Sequence, residues 1–225
     1  MYVKNIYAST IYKGIYALLC AAALIVDFGI PQGRMRWHIL NYYTVLSNLA
    51  CLVFFALAFA ACVRAWGRGE KNFSYAPRTE GAIVFCIAVT GLIYALMLGP
   101  NDLAAQGSSF FSFRNMMLHY AGPFMVVLDW LLFSPKGRFC RWDPLKWLCI
   151  PLAYFAYILI RSTFAGGIGG SGSRFPYGFI DPAVQGGWGN MMWGVLEIAV
   201  GMAALGYVIY LTDWLLARKV KNLEI

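Results

Sequence analysis

The sequence predicts an all-α, polytopic membrane protein with six transmembrane helices, and three observations carry that expectation. Hydrophobic residues make up 60% of the 225-residue chain and charged residues only 12%, with a mean hydropathy of +0.62. A soluble domain carries about a quarter of its residues as charges, so this composition does not fit a water-facing surface. The apolar residues fall into six long runs, each near the ~20 residues that cross a bilayer core. The basic residues lie between those runs with a strong bias to one side.

The runs are Ile11 to Ile30, His38 to Val63, Glu80 to Gly99, Asn115 to Ser134, Leu145 to Thr163, and Gly189 to Leu216. Barrel strands are ~10-residue segments of alternating polarity, whereas these are twice as long and apolar all round, which requires helices that satisfy their own backbone. The whole chain, 1–225, reads as one six-helix domain. Lys4 and Lys13 before an Ala-rich run imitate a cleavable signal, but removing it would leave five crossings and spoil the charge pattern.

Of the 18 Lys and Arg residues, thirteen lie on one side (Lys4, Lys13, Arg64, Arg68, Lys71, Arg78, Lys136, Arg138, Arg141, Lys146, Arg218, Lys219, Lys221) and five on the other (Arg34, Arg36, Arg114, Arg161, Arg174). Cytoplasmic retention of Lys and Arg then puts Met1 and Ile225 inside the cell. The net charge of +8 is dispersed rather than gathered on one face, so lipid headgroups are its expected counter-charge and nucleic acid is excluded as a partner. None of the six cysteines falls in an outer connection, and none has zinc-ligand spacing, so neither a disulfide framework nor a metal is expected.

Two features concern organisation. Leu128-Asp129-Trp130-Leu131-Leu132 recurs as Thr212-Asp213-Trp214-Leu215-Leu216 at the inner ends of helices four and six, where an acid reaches interfacial Lys and Arg. The outer connection 164–188 is long and rich in glycine (Gly166, Gly167, Gly169, Gly170, Gly172) before an aromatic stretch that includes Phe175, Tyr177 and Phe179. Aromatics beside prolines favour a lid over a site rather than a linker.

Polar groups at depth in a bilayer are costly and mark function by default. Helix two is expected to carry Asn41, Thr44, Ser47 and Asn48 on one stripe, with Thr44 ~9 Å below its outer edge. The same counting puts His119 at ~6 Å and Glu197 at ~12 Å, with Asp27 and Arg161 at that level. Pro123 cannot donate to the carbonyl of His119, which predicts a kink. Asn190, Gly194, Glu197 and Gly201 form a small-and-polar face that is expected to turn into the bundle. Tyr154, Tyr157 and Arg161 share a face of helix five as packing and site wall.

A hydroxyl nucleophile needs a base within reach and donors for the developing oxyanion. Thr44 would attack an acyl carbonyl, His119 would take and return the proton, Asp27 or Glu197 would orient the imidazole, and Asn41, Asn48 or Arg161 would face the oxyanion. The bland reading is that Thr44 bonds its own helix, the asparagines stitch helices, and the acids pair with Arg161 and Arg114. Two other functions stay open. A transporter or channel is motivated by Asp27, Glu197 and Arg161, and a haem- or quinone-binding redox protein by His38 and His119 as axial ligands.

Tyr43-Thr44-Val45-Leu46-Ser47-Asn48-Leu49, with His119 followed by Pro123-Phe124, resembles the androgen-induced and androgen-dependent TFPI-regulating membrane proteins and their prokaryotic six-helix relatives. Residues 175–181 look like the Pro- and Tyr-containing outer loop of the prokaryotic branch. The eukaryotic members are intramembrane threonine hydrolases that cleave fatty acid esters of hydroxy fatty acids. The resemblance implies that Thr44 is the nucleophile and His119 its partner on a membrane acyl ester; Tyr157, from its face of helix five, and Phe175, Tyr177 and Phe179, from the outer connection, are the expected substrate and lid residues, and no cofactor is expected. The expected location is a bacterial inner (plasma) membrane.

Overall fold

The computed structural model describes residues 3–168 and 172–221. Met1, Ile225, Gly169 and Gly170, on which the topology and lid expectations partly rest, lie outside the described residues. Among the described residues every regular element is helical, and six helices are long and apolar enough to cross a membrane. They are α1 (Ile6–Asp27), α2 (Tyr43–Gly67), α3 (Pro77–Ala105), α4 (Phe113–Phe133), α5 (Asp143–Phe164) and α6 (Trp188–Lys221).

The boundaries shift for local reasons. Asn5 caps α1 by accepting from the N–H of Ala8 at 3.1 Å, so the helix starts before its apolar run. It ends in a left-handed turn at Gly29 (φ 77°), where a Cβ would collide with the carbonyl of Arg34. The apolar run starts helix two at His38, but Trp37–Asn41 form a short 3-10 turn and α2 begins at Tyr43. The Asn41 carbonyl is taken by the Tyr154 hydroxyl at 2.8 Å, and its side-chain oxygen by Tyr157 at 3.0 Å. Asn41 therefore stands before the helix, and Thr44 is its second residue rather than one buried ~9 Å down it.

α3 and α4 each contain one π turn, Tyr94–Leu98 and Met117–Ala121, and each is closely followed by a proline, Pro100 or Pro123. Widening the turn ahead of a proline accommodates the missing N–H, and α4 meets the loss at Pro123 with such a turn.

α3 is central, touching α2, α4, α5 and α6, while α1 packs along α2 and α4. α5 and α6 pair with each other and flank this core. In its most apolar stretch α6 is only 11% buried against 44% for α2, α3 and α4, so α6 is peripheral. It buries Met191, Ile209 and Asp213 and turns Ile198, Ala199 and Met202 toward the bundle. The face of Asn190, Gly194, Glu197 and Gly201 points away, and a Cβ on Gly194 or Gly201 would meet nothing within 4 Å. The expectation of an inward Glu197 is therefore corrected, because a helix with neighbours on one side only has room for one inward stripe.

At the end of the bundle that carries most of the basic residues, termed the inner end, α1, α3 and α4 share a buried polar cluster that hydropathy did not reveal. Lys13 Nζ donates to both oxygens of Asp129 at 2.8 Å and to Ser9 at 3.1 Å, and the Ser134 hydroxyl lies 2.6 Å from both oxygens of Glu80. Lys13 is a structural ion-pair partner within α1 rather than a flanking charge. The repeated Asp-Trp motif is used twice in related ways: Asp129 holds Lys13, and Asp213 accepts from the N–H groups of Arg138 (2.8 Å) and Phe139 (3.2 Å) to pin the inner loop.

Candidate functional site

Toward the outer end of the bundle, α1, α2, α3 and α4, with the outer loop at Pro176 and Tyr177, line an open chamber of about 370 Å3. Among its lining residues are Thr44 from α2, His119 and Asn115 from α4, Tyr94 and Asp102 from α3, and Asp27 from α1. Thr44 and His119 thus reach one chamber, and no hydrogen bond joins their side chains among the described residues.

Their relative position is set by Asn48. In the π turn the N–H of Gly122 goes to the carbonyl of Met117, and the residue that would serve Leu118 in the same register is Pro123, which has no N–H. The deficit therefore falls on Leu118 in this register, one residue before the position expected from an α-helix. Asn48, fully buried on α2, fills it by donating to the Leu118 carbonyl at 3.1 Å and to the Thr44 carbonyl at 2.8 Å. One amide thereby ties the turn holding Thr44 to the turn holding His119. Gly91 on α3 admits α4 at this level, since a Cβ there would sit 3.0 Å from Pro123 and 3.3 Å from the His119 carbonyl.

His119 is oriented by its own helix. Its Nδ1 lies 3.2 Å from the carbonyl of Asn115, which can only accept, so in the neutral ring the proton sits on Nδ1 and Nε2 keeps its lone pair. Its face stacks on Tyr94, ring centroids 3.7 Å apart. The Tyr94 hydroxyl is 2.8 Å from Asp102 and 2.9 Å from the Asn115 side-chain oxygen, and the Asn115 amide donates to the Phe110 carbonyl at 2.9 Å. Asn115, Tyr94 and Asp102 form the support of the imidazole, a role assigned from sequence to Asp27 or Glu197. Tyr94 gave no signal because it sits in an apolar run, while Asn115 stands one turn before His119 and was readable as a helix start only.

The remaining sequence-derived candidates divide clearly. Asp27 lines the chamber and pairs with Arg114 at 3.1 Å, the bland alternative for this acid. Arg161 donates to the carbonyls of Gly166 and Arg174 at 3.3 Å each and organises the outer loop. Asn41 donates to the His38 carbonyl at 2.8 Å. Tyr157 holds Asn41, and Phe175 bonds locally to Ser173, so neither lines the chamber. Tyr177 and Phe179, stacked with centroids 5.1 Å apart, do reach the site. Tyr177 lies across the start of α2, its hydroxyl 3.5 Å from the Thr44 N–H. Burial pushes the Tyr177 phenol up to about 12, with hydrogen bonds from Thr44 opposing the rise, so it stays protonated at ordinary pH.

A second, apolar slot of about 80 Å3 adjoins the chamber between α3, α5, α6 and the outer loop. Val89, Ile93, Phe155, Ile198, Met202 and Phe179 line it, together with Thr44, Tyr94 and Tyr177, which belong to both spaces. Thr44 therefore stands where a greasy slot meets a polar chamber. No protein-family model, curated protein or solved structure matches this chain.

Proposed function

We propose that this protein is an intramembrane hydrolase of lipid esters, with Thr44 as nucleophile and His119 as general base at the outer-leaflet level. The observation that supports it is the shared chamber: Thr44 and His119 line one cavity, and Thr44 also borders the adjoining apolar slot. Such a junction suits an amphiphile whose first acyl carbons enter the slot, whose ester carbonyl stands at Thr44, and whose alcohol portion lies among the polar groups of the chamber.

In this reading Thr44 Oγ1 adds to the carbonyl carbon as its proton passes to His119 Nε2, and the carbonyl π pair moves onto oxygen. Collapse of the adduct expels the alcohol oxygen, which takes the proton from His119. Water then attacks the acyl-threonine through the same proton exchange and releases the fatty acid and free Thr44. The support under His119 fixes the ring with Nε2 available, and the resemblance of residues 43–49 and 119–124 to the threonine hydrolase family agrees with these roles. The bacterial plasma membrane and cytoplasmic termini belong to the same proposal.

The test is to react the purified protein with a long-chain fluorophosphonate and locate the adduct by peptide mass spectrometry. Label on Thr44, lost in Thr44→Ala together with ester hydrolysis, is the expected result. Hydrolysis of a long-chain ester by Thr44→Ala at the wild-type rate overturns the proposal.

A further inference from the structure

Resting on that reading, we infer that the hydroxyl of Tyr177 is the oxyanion donor, held by the backbone N–H of Thr44, which makes Tyr177 a catalytic residue contributed by the outer loop. The donors that sequence favours for this role are already engaged. Asn48 spends its amide on the Thr44 and Leu118 carbonyls, Asn41 on His38, and Arg161 on the loop carbonyls of Gly166 and Arg174. Each is committed to holding backbone.

The start of α2 has the opposite character. Tyr42 provides no side-chain cap, and its carbonyl accepts from Val45 and Leu46. A helix leaves its first N–H groups without intrahelical acceptors and presents the positive end of its dipole there. The partner at Thr44 is the Tyr177 oxygen, 3.5 Å away, which accepts from that N–H and leaves the phenol O–H to be donated elsewhere.

The position of that hydroxyl also fits, because Tyr177 and Thr44 line the same chamber and the phenol oxygen stands 3.5 Å from the backbone nitrogen of the nucleophile. A carbonyl oxygen that accepts from the phenol is bonded to a carbon within reach of the Thr44 side chain, because the phenol stands against the nucleophile's own backbone. Packing holds Tyr177 in this position. Its ring meets Tyr42 edge-on at 5.7 Å and stacks on Phe179, and the loop behind it is tied by Asp181 to Ser173 (2.7 Å) and to the N–H of Ala183 (2.9 Å). As the carbonyl oxygen gains charge, the phenol O–H turns to it while the Thr44 N–H stays on the phenol oxygen and polarises it, and no proton is transferred.

Tyr177→Phe removes the donor and keeps the ring. Its kcat on a long-chain ester should fall ~100-fold, the usual loss for one oxyanion donor, with KM within about twofold. Affinity for a long-chain trifluoromethyl ketone, which forms the charged adduct, should fall by a similar factor, while affinity for the unreactive ether analogue stays unchanged. A kcat within about threefold of wild type overturns the assignment, as does an equal loss of ketone and ether binding. Thr44→Ala, assayed beside it, separates the two claims. A fully active Thr44→Ala sinks the hydrolase reading, whereas an inactive Thr44→Ala beside a fully active Tyr177→Phe sinks only the role of Tyr177. Should Tyr177→Phe not fold, difluorotyrosine at position 177, a more acidic phenol, should move the alkaline fall in kcat to lower pH. An unmoved profile overturns the inference.

Discussion

The imidazole of His119 lies flat on the ring of Tyr94, with centroids 3.7 Å apart and planes 23° from parallel. Both residues belong to π turns, one in α3 and one in α4, so two local widenings face each other and bring the rings into contact. Tyr94 hydrogen-bonds the side chain of Asn115, the residue whose carbonyl faces His119 Nδ1. The imidazole is thus fixed both in plane and in tautomer by groups that carry no charge.

If Thr44 and His119 act as one unit, Thr44→Ala, His119→Ala and the double variant should all fall to nearly the same residual ester hydrolysis, since either loss disables the same step. Multiplicative losses in the double variant would assign them separate roles. Thr44→Ser should retain part of the activity because the hydroxyl remains, and detergent-solubilised monodispersity measured alongside separates chemistry from folding.

Asn48→Leu keeps the volume and removes the brace between α2 and α4. It should cost about 1–2 kcal/mol in thermal unfolding, because the Leu118 carbonyl then lacks its side-chain donor. Activity should fall further than that destabilisation implies, as the two turns bearing the catalytic pair lose their common anchor. A variant of wild-type activity would show that packing alone holds the register.

Lys13→Met leaves Asp129, which has no exposed surface, without its counter-charge, and should destabilise the protein by about 3–5 kcal/mol. Lys13→Met with Asp129→Leu should recover most of the loss, since an apolar pair needs no desolvation of charge. Unfolding midpoints in detergent read both outcomes, and a double variant no better than the single would contradict this account.

Lys136 lies in the inner loop, outside the membrane-spanning segments, against the Trp130 ring at 5.0 Å, and donates to the carbonyls of Trp130 and Ser134. Burial lowers its pKa to about 8, with the charge of Glu80 opposing the shift. The unfolded chain then holds more protons than the folded one between that value and about 10.4, so this residue makes stability rise with pH across that window. Below about 8 the penalty is constant. The difference in unfolding midpoint between wild type and Lys136→Met should therefore change between pH 8 and 10.

Hydropathy made the six helices legible, because length and apolar character are properties of contiguous sequence. Thr44 and His119 were legible for a related reason: polar groups stand out against an apolar background. Tyr94 did not stand out, being amphipathic, and the imidazole's support came from a backbone carbonyl that no side-chain pattern encodes. Asn48 was visible as a polar residue, but its role depends on a π turn that follows from Pro123 only once α4 is built. Glu197 misled because a small-and-polar stripe has the same period whether it faces a neighbour or the outside, and only the peripheral position of α6 decides between them.

A π turn is an α-helix with one residue too many, and the surplus in Met117–Ala121 sets an angular offset. Removing a single residue from that turn would restore the ordinary winding and rotate everything on its outer side by about 100° relative to the inner part of α4. Arg114 would swing away from Asp27 and Asn115 from Tyr94, while Trp130 and Asp129 stayed where they are. The outer third of this helix is therefore indexed to the rest by a one-residue insertion, so the chamber can be dismantled by a change of length that alters neither composition nor hydropathy.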